Sequence, residues 1–244
     1  MSSFIGYNII GDIHGMDVWK YLVKDDYINV FIGDFFDPYT RAISYEKCVS
    51  NFKEIIDYKK EHPETIILWG NHELHYLLLD KMDERYSRFD EEHAAEIQQL
   101  LLDNYTFFNG IAYSINDIYL VTHAGISRYW YLVQFGEYKG QSPSEIATKV
   151  NDLWEKDYHP FLVRENKQYD GTAEGPTQSP LWIRSYVLDR YNLFEGTPYK
   201  QVFGHTICRH IQEKNGLICV DCLRWMERFE PGIATLFINN LIHM

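Results

Sequence analysis

The chain has 244 residues, of which 45% are hydrophobic and 16% aromatic, and we expect one globular domain over residues 1–244. Its formal net charge of −12 argues against broad contact with nucleic-acid phosphates. The N-terminal residues lack the pattern of a signal peptide, and no apolar run approaches the roughly 20 residues that span a membrane. We therefore expect a cytoplasmic protein that binds neither extended nucleic acid nor membranes.

Three short apolar segments in the first third of the chain are predicted strands. They are Tyr7–Ile10, Ile28–Ile32 and Thr65–Trp69. Helices are predicted between them, at Met16–Lys24 and Ser44–Lys60. The resulting order, β-α-β-α-β, implies parallel strands joined by right-handed crossovers.

Polar residues follow each of these three strands. The carboxyl ends of parallel strands meet at one edge of a sheet, which is where open α/β proteins bind their ligands. We therefore expect the following side chains to lie together: Asp12, His14, Asp34, Asp37, Asn71 and His72.

The second half of the chain has a different pattern. Apolar segments at Ile111–Ile115 and Ile118–Thr122 flank Asn116-Asp117, which predicts a hairpin and an antiparallel second half. Further predicted helices are Glu73–Asp80, Asp90–Asp103 and Ser142–Lys156, and further predicted strands are Val202-Phe203, Leu217–Val220 and Ile233–Ile238. We expect a mixed α/β (α+β) fold, a two-sheet sandwich flanked by helices, with a helical insert at about 79–103 and a long loop at about 157–180.

Two histidines of the second half also follow predicted strands. They are His123 and His205, and with Asp12, His14, Asp34 and Asn71 they make six oxygen and nitrogen donors. Donors of this kind suit Mn²⁺, Fe²⁺ or Zn²⁺. Six are too many for one tetrahedral zinc but enough for two cations that share a carboxylate. Two cations roughly 3.5–4 Å apart are suited to in-line displacement at phosphorus.

Five short blocks carry these residues: GDIHG, GDFFD, GNHE, HAG and GHT, in this order between residues 11 and 206. They resemble the calcineurin-like metallophosphoesterases and, more narrowly, the phosphoprotein phosphatase branch with its bacterial and phage relatives. The resemblance implies two divalent metal ions, manganese first, with iron or zinc as alternatives, and a metal-activated water as the nucleophile. It assigns Asp12 and His14 to the first metal, Asp34 to a bridge between the two, and Asn71, His123 and His205 to the second.

The resemblance also implies a general acid. His72 would protonate the leaving oxygen, and a nearby carboxylate, Asp37, would favour its charged form. His72 is adjacent to the ligand Asn71, and Asp37 lies three residues past the ligand Asp34. The spacing is therefore consistent with a paired acid and carboxylate.

The phosphate-binding residues are the least regular part of the resemblance. Leu181-Trp182-Ile183-Arg184 resembles the Leu-Trp-x-Arg block of bacterial and phage relatives, so Arg184 is expected to bind substrate phosphate, together with Asn71. A second arginine usually follows the carboxylate at Asp37, but Pro38 occupies that position here. Arg41 lies three residues further on and is the candidate replacement.

Three functions are compatible with these residues. The first is a phosphomonoesterase that acts on phosphoserine or phosphothreonine in proteins. The second is a dinucleoside polyphosphate hydrolase, because an arginine is missing and the tyrosines and Trp154 of region 130–182 could stack on a base. The third is a non-catalytic binding protein with the same fold, which the complete ligand set opposes.

Overall fold

The computed structural model of this chain describes residues 4–79, 88–163, 175–224 and 235–239. The strands are β1 Gly6–Ile10, β2 Tyr27–Phe31, β3 Ile66–Ile67, β4 Ala112–Ile115, β5 Tyr119–Thr122, β6 Lys200–Phe203, β7 Gln212–Lys214, β8 Leu217–Cys219 and β9 Thr235–Asn239. The α-helices are α1 Tyr45–Glu61, α2 Asn71–Leu77, α3 Ala94–Asp103, α4 Arg128–Phe135, α5 Pro143–Lys156 and α6 Ser185–Leu188. Within these described ranges, no helix has the length and apolar composition needed to cross a membrane.

The first sheet has the strand order β3-β2-β1-β9. Strands β1, β2 and β3 are parallel, as the β-α-β-α-β pattern predicts, and β9 pairs antiparallel with β1. The first predicted helix, Met16–Lys24, is instead a short 3₁₀ helix at Asp17–Tyr21. Its one buried residue, Trp19, packs edge-on against Phe31 at 5.6 Å, so a single turn is enough to cover this part of the sheet.

The second crossover helix, α1, begins one residue after the predicted start. The Ser44 side chain accepts a hydrogen bond from Lys47 N at 3.3 Å and caps the helix. The buried face of α1 includes Phe52, Ile55 and Ile56, which repeat at helical spacing. The spacing of apolar residues therefore predicts both the extent and the orientation of this helix.

The second sheet has the order β4-β5-β6-β8-β7 and is mixed. The β4–β5 hairpin forms as predicted, with Asn116 and Asp117 both in the left-handed conformation that a tight hairpin turn requires. However, β5–β6 and β6–β8 are parallel, so the expectation of an antiparallel second half is wrong for these pairs. The chain passes through α4, α5 and α6 between β5 and β6, and a connection of that length permits parallel pairing.

The two sheets face each other across an aliphatic core. It draws on both sheets and consists largely of β-branched residues, among them Ile9, Val30, Ile66, Val121, Val202, Ile218 and Ile238. A larger apolar cluster lies beneath the helices and contains the bulkiest buried rings, including Trp69, Trp130 and Phe52. This arrangement confirms the predicted two-sheet sandwich flanked by helices.

Several predicted boundaries shift, and parts of some predicted segments lie outside the described residues. Helix α2 begins at Asn71 rather than Glu73, and α3, inside the insert at 79–103, begins at Ala94 rather than Asp90. Residues 80–87 of that insert and residues 164–174 of the long loop lie outside the described residues. The same applies to the start of the last predicted strand, since residues 225–234 are not described.

Candidate active site

The structure brings the polar residues that follow β1, β2, β3, β5 and β6 to one edge of the sandwich. Four of them, none a glycine, have a positive φ: His14 at 43°, Asp34 at 55°, Asp37 at 57° and His205 at 61°. Residues other than glycine rarely adopt this conformation, and the strain tends to concentrate at functional sites. The tight turns at the strand ends therefore serve to aim these side chains at a common point.

Asp34 lies at the centre of the cluster. Its carboxylate belongs to two groups of potential metal ligands, one with His14 and His72 and one with His123 and His205. Within each group the ligand atoms lie within 4.8 Å of one another. A carboxylate shared by two groups has the position expected of a bridging ligand.

Two histidines show that this arrangement suits cations. His14 Nδ1–H donates to the Phe36 carbonyl at 2.8 Å, and His123 Nδ1–H donates to the Ile32 carbonyl at 2.9 Å. Burial lowers the pKa of both rings, that of His123 to about 4, so Nε2 carries a lone pair at neutral pH. These lone pairs face Asp34 Oδ2 at 3.5 and 3.4 Å, and two acceptors facing each other are stabilised by a cation between them. The residues present therefore fit divalent cations.

The remaining predicted ligands join the same cluster. Asn71 Oδ1 lies 2.8 Å from His123 Nε2 and 2.9 Å from His205 Nδ1. Both carboxylate oxygens of Asp12 accept a hydrogen bond from the backbone N–H of His205, at 3.2 and 3.0 Å. Residues from both sheets therefore converge on one buried centre, since all of these side chains are buried.

The cluster brings several carboxyl groups together in a buried place, which makes their ionised forms costly. Burial raises the pKa of Asp34 to about 7, and burial together with Asp34 raises the pKa of Asp221 to about 7. The pKa of Asp12 is raised by burial and then by Asp221 and Asp34. Asp221 was not predicted as a site residue, and its Oδ2 is buried without a hydrogen-bond partner among the described residues. Divalent cations would neutralise this buried carboxylate cluster.

Glu73 is a further member that the sequence analysis did not single out. Its carboxylate is fully buried and accepts three backbone hydrogen bonds, from Asp34 N at 2.8 Å, Phe35 N at 2.7 Å and Gly70 N at 3.0 Å. Gly70 has no room for a side chain, because a Cβ there would lie 2.3 Å from Asp34 Oδ1. Glu73 thus joins the Asp34 turn to the start of α2, and a Glu three residues after the N-cap residue, here Gly70, is a recognisable capping signal.

The predicted pair of His72 and Asp37 is formed. His72 Nδ1–H donates to Asp37 Oδ2 at 2.5 Å, and the hydroxyl of Tyr76 donates to the other oxygen of Asp37. Burial and then the Arg88 guanidinium lower the pKa of His72 well below its usual value, which opposes the charged form that Asp37 is expected to favour. Burial also raises the pKa of Asp37 to about 7. The pair therefore orients the ring but does not by itself keep it protonated.

The two predicted phosphate-binding arginines differ in how closely they approach the cluster. Arg184 is partly buried and donates from Nη1 to the His205 carbonyl at 3.1 Å, while Trp182 stacks on His75 beside it. Arg41 is exposed and lines an outer cavity without reaching the cluster through any described hydrogen bond, so its substrate role stays a prediction. Arg88, which the sequence analysis missed, lies beside His72.

The chain belongs to the calcineurin-like phosphoesterases. The sequence model of that family matches residues 8–220, which include all six predicted metal ligands. Members of the family depend on a dinuclear metal centre, and the buried aspartate and histidine groups of this chain could hold one. Membership defines a hydrolytic phosphoesterase and confirms the resemblance drawn from the five sequence blocks.

Two solved structures have a similar fold. One is a protein serine/threonine phosphatase from Saccharomyces cerevisiae with similarity to human phosphatase PP5; it is 18% identical, with a TM-score of 0.50, over 89% of this chain and 67% of that chain. The other is a mutant of a cold-active protein tyrosine phosphatase; it is 20% identical, with a TM-score of 0.50, over 92% of this chain and 73% of that chain. No curated protein matches the chain significantly. At these identities the two similarities support the fold.

Proposed function

We propose that the chain hydrolyses phosphomonoesters and that its substrates are phosphoserine and phosphothreonine residues in proteins. The observation that carries this proposal is the position of His72, whose Nε2 lies 3.9 Å from Asp34 Oδ2 while its Nδ1 contacts Asp37. A serine or threonine alkoxide is a poor leaving group at neutral pH, so a proton donor is needed beside the reacting phosphorus. His72 has the position that such a donor requires.

The proposed reaction divides the work among the clustered residues. The two divalent cations, manganese first, with iron and zinc as alternatives, would be held by Asp12, His14, Asp34, Asn71, His123 and His205. When bound, they would lower the pKa of the attacking water toward about 7 and withdraw charge from the phosphoryl oxygens.

The residues around this centre orient the substrate and move the proton. Asp37 fixes the His72 ring through Nδ1, so that Nε2 faces the leaving-group oxygen. A phosphate dianion beside Nε2 favours the protonated ring and so opposes the effect of burial on its pKa. Arg184, held at the His205 carbonyl, binds a phosphoryl oxygen from the opposite side of the centre.

One observation favours a second candidate, the hydrolysis of dinucleoside polyphosphates. A cavity of about 920 Å³ adjoins Asp37 and is lined in part by Tyr39, Tyr45, Phe89 and Arg41. Aromatic rings together with an arginine can hold a nucleotide base and its phosphates. This candidate needs a base in the cavity, whereas the first needs only a phosphorylated side chain at the metal cluster.

A substrate panel distinguishes the candidates. Protein loaded with Mn²⁺, Fe²⁺ or Zn²⁺ is given p-nitrophenyl phosphate, a phosphoserine peptide, a phosphotyrosine peptide and diadenosine tetraphosphate. We expect cation-dependent hydrolysis of p-nitrophenyl phosphate and of the phosphoserine peptide, with the highest kcat/KM for the peptide. A higher kcat/KM for the dinucleotide would replace the proposal with the second candidate. If no loaded form hydrolyses any of the four, a non-catalytic binding protein becomes the better account.

A further inference from the structure

Arg88 touches the catalytic pair from outside the five sequence blocks. Its Nη1–H donates to the Asp37 carbonyl at 2.7 Å, and its Nη2 lies 3.2 Å from His72 Nε2, within hydrogen-bond distance. The guanidinium lies over the Tyr39 ring, 4.1 Å from its centroid. Tyr39 in turn packs edge-on against His14 at 4.3 Å, so Arg88 is held between the general acid and a metal ligand.

The residues that follow Arg88 fix it in this place. Phe89 stacks on Tyr76, with ring centroids 4.7 Å apart, and Asp90 N donates to the Tyr76 hydroxyl at 2.9 Å. The same hydroxyl donates to Asp37. Arg88 itself has a φ of 69°, a conformation that a residue other than glycine retains only when its surroundings impose it. Three consecutive residues are therefore anchored to α2 and to the carboxylate that orients His72.

The position at His72 Nε2 is one that the substrate must occupy. A leaving-group oxygen that takes a proton from Nε2 has to approach where Arg88 Nη2 now lies. Arg88 must then direct that N–H elsewhere, and the nearest new acceptor would be an oxygen of the same phosphoryl group. A guanidinium has five N–H donors in a planar fork, so it can keep its bond to the Asp37 carbonyl while binding an anion.

We propose that Arg88 is the second phosphate-binding arginine, gripping the phosphoryl group from the His72 side while Arg184 grips it from the His205 side. This inference rests on the proposed phosphomonoesterase function. Pro38 occupies the usual place of the arginine, and Arg88 reaches the Asp37 backbone carbonyl instead. A monoester dianion has a free, charged oxygen for each arginine, whereas a diester has one charge and a second substituent. Arg88 therefore selects monoesters over diesters.

The test compares Arg88→Ala and Arg88→Lys with the wild type, all loaded with Mn²⁺. The matched control is Arg128→Ala, because Arg128, like Arg88, is exposed and lies over tyrosine rings, but it is on α4 and pairs with Glu195 rather than with the His72–Asp37 pair. The measured quantities are kcat/KM for p-nitrophenyl phosphate and for bis(p-nitrophenyl) phosphate, and the dissociation constant of inorganic phosphate by titration calorimetry. Metal content and unfolding temperature verify that each variant is folded and loaded.

We expect Arg88→Ala to lower kcat/KM for the monoester by about 10- to 100-fold and to weaken phosphate binding by a similar factor, as the loss of charged hydrogen bonds predicts. The diester should lose less, Arg88→Lys should recover part of the monoester rate, and Arg128→Ala should match the wild type. The inference is overturned if Arg88→Ala binds phosphate as tightly as the wild type, or if Arg41→Ala causes the larger loss. Should the wild type prove inactive, the proposed function fails, yet phosphate binding still decides the role of Arg88.

Discussion

The two sheets contribute to the candidate metal cluster in different ways. The first sheet offers three neighbouring parallel strands, and the blocks that follow them carry ligands within a few residues of each strand end. The second sheet contributes His123 and His205, which come together only because β5 and β6 pair in parallel after a crossover through three helices. The first set of ligands thus depends on local sequence, and the second depends on long-range topology.

Asp34 is the point where the two contributions meet, since its carboxylate faces His14 from the first sheet and His123 from the second. Replacing it with asparagine removes the charge shared by both ligand groups. We expect Asp34→Asn to lose bound metal and hydrolysis of p-nitrophenyl phosphate together, by more than the roughly 10²–10⁴-fold that a general acid supplies. Metal analysis and steady-state kinetics check this outcome.

The matched control is Asp17→Asn, which alters an exposed carboxylate paired with Lys47. It should keep both metal and rate. If Asp34→Asn retained a full complement of metal, the two groups would not share Asp34, and the cluster would have to be divided differently.

The predictability of the site follows the same division. Strand-end blocks predict Asp12, His14, Asp34 and Asn71, because a short apolar strand and the residues after it can be recognised without knowing the rest of the fold. His123 and His205 are also predicted as histidines that follow apolar strands, but the parallel pairing of β5 and β6 that unites them is not, since no local pattern specifies which strands become neighbours after a long crossover. No sequence pattern predicts a role for Arg88, because its contact with His72 depends on tertiary structure rather than on local sequence.

His72 lies in α2, directly after β3 of the first sheet. In the proposed mechanism it transfers a proton and does not bind metal. We expect His72→Asn to keep its metal and to lower kcat by roughly 10²–10⁴-fold. The loss should be greater for a phosphoserine peptide than for p-nitrophenyl phosphate, because nitrophenolate leaves without a proton donor. The exposed His159, paired with Asp157, provides the control variant His159→Asn. An equal loss for both substrates would argue against His72 as the general acid.

Gly204 follows β6 of the second sheet, and its backbone lies close to the predicted ligand Asp12. A substitution at Gly204 therefore tests how the second sheet supports the cluster. A Cβ at this position would lie 2.1 Å from Asp12 Oδ1 and 2.8 Å from Ile32 Cδ1. We expect Gly204→Ala to displace Asp12 and to weaken metal binding by about 10- to 100-fold, the usual effect of disturbing the support of a ligand. In Gly196→Ala the new Cβ meets open space, so any loss there should be of stability alone. Unchanged metal affinity in Gly204→Ala would remove Asp12 from the ligand set.

The smallest expected effect concerns stability and applies to both sheets at once. Burial raises the pKa of Asp34 and Asp221 to about 7, and burial with Asp34 raises the pKa of Glu73 to about 8. Ordinary carboxyl pKa values are near 4, so the metal-free folded state favours the protonated groups. Their contribution to stability is complete below pH 4 and is lost as pH rises through about 7 to 8.

The useful window for this measurement lies above pH 6.5, because the histidines with lowered pKa act in the opposite direction below it and are neutral in both states above it. We expect the unfolding temperature of chelated protein to fall between pH 6.5 and 8 and then to level off. Bound cations favour the ionised carboxylates, so the unfolding temperature of Mn²⁺-loaded protein should change less with pH. The difference in unfolding temperature between loaded and chelated protein should therefore widen as pH rises. Asp221→Asn should flatten the dependence of the unfolding temperature of chelated protein on pH, whereas Asp189→Asn, at a partly exposed carboxyl whose pKa is lowered by Lys214, should not. If the difference in unfolding temperature between loaded and chelated protein stayed constant across this pH range, the buried carboxylates would not be the groups that the metal neutralises.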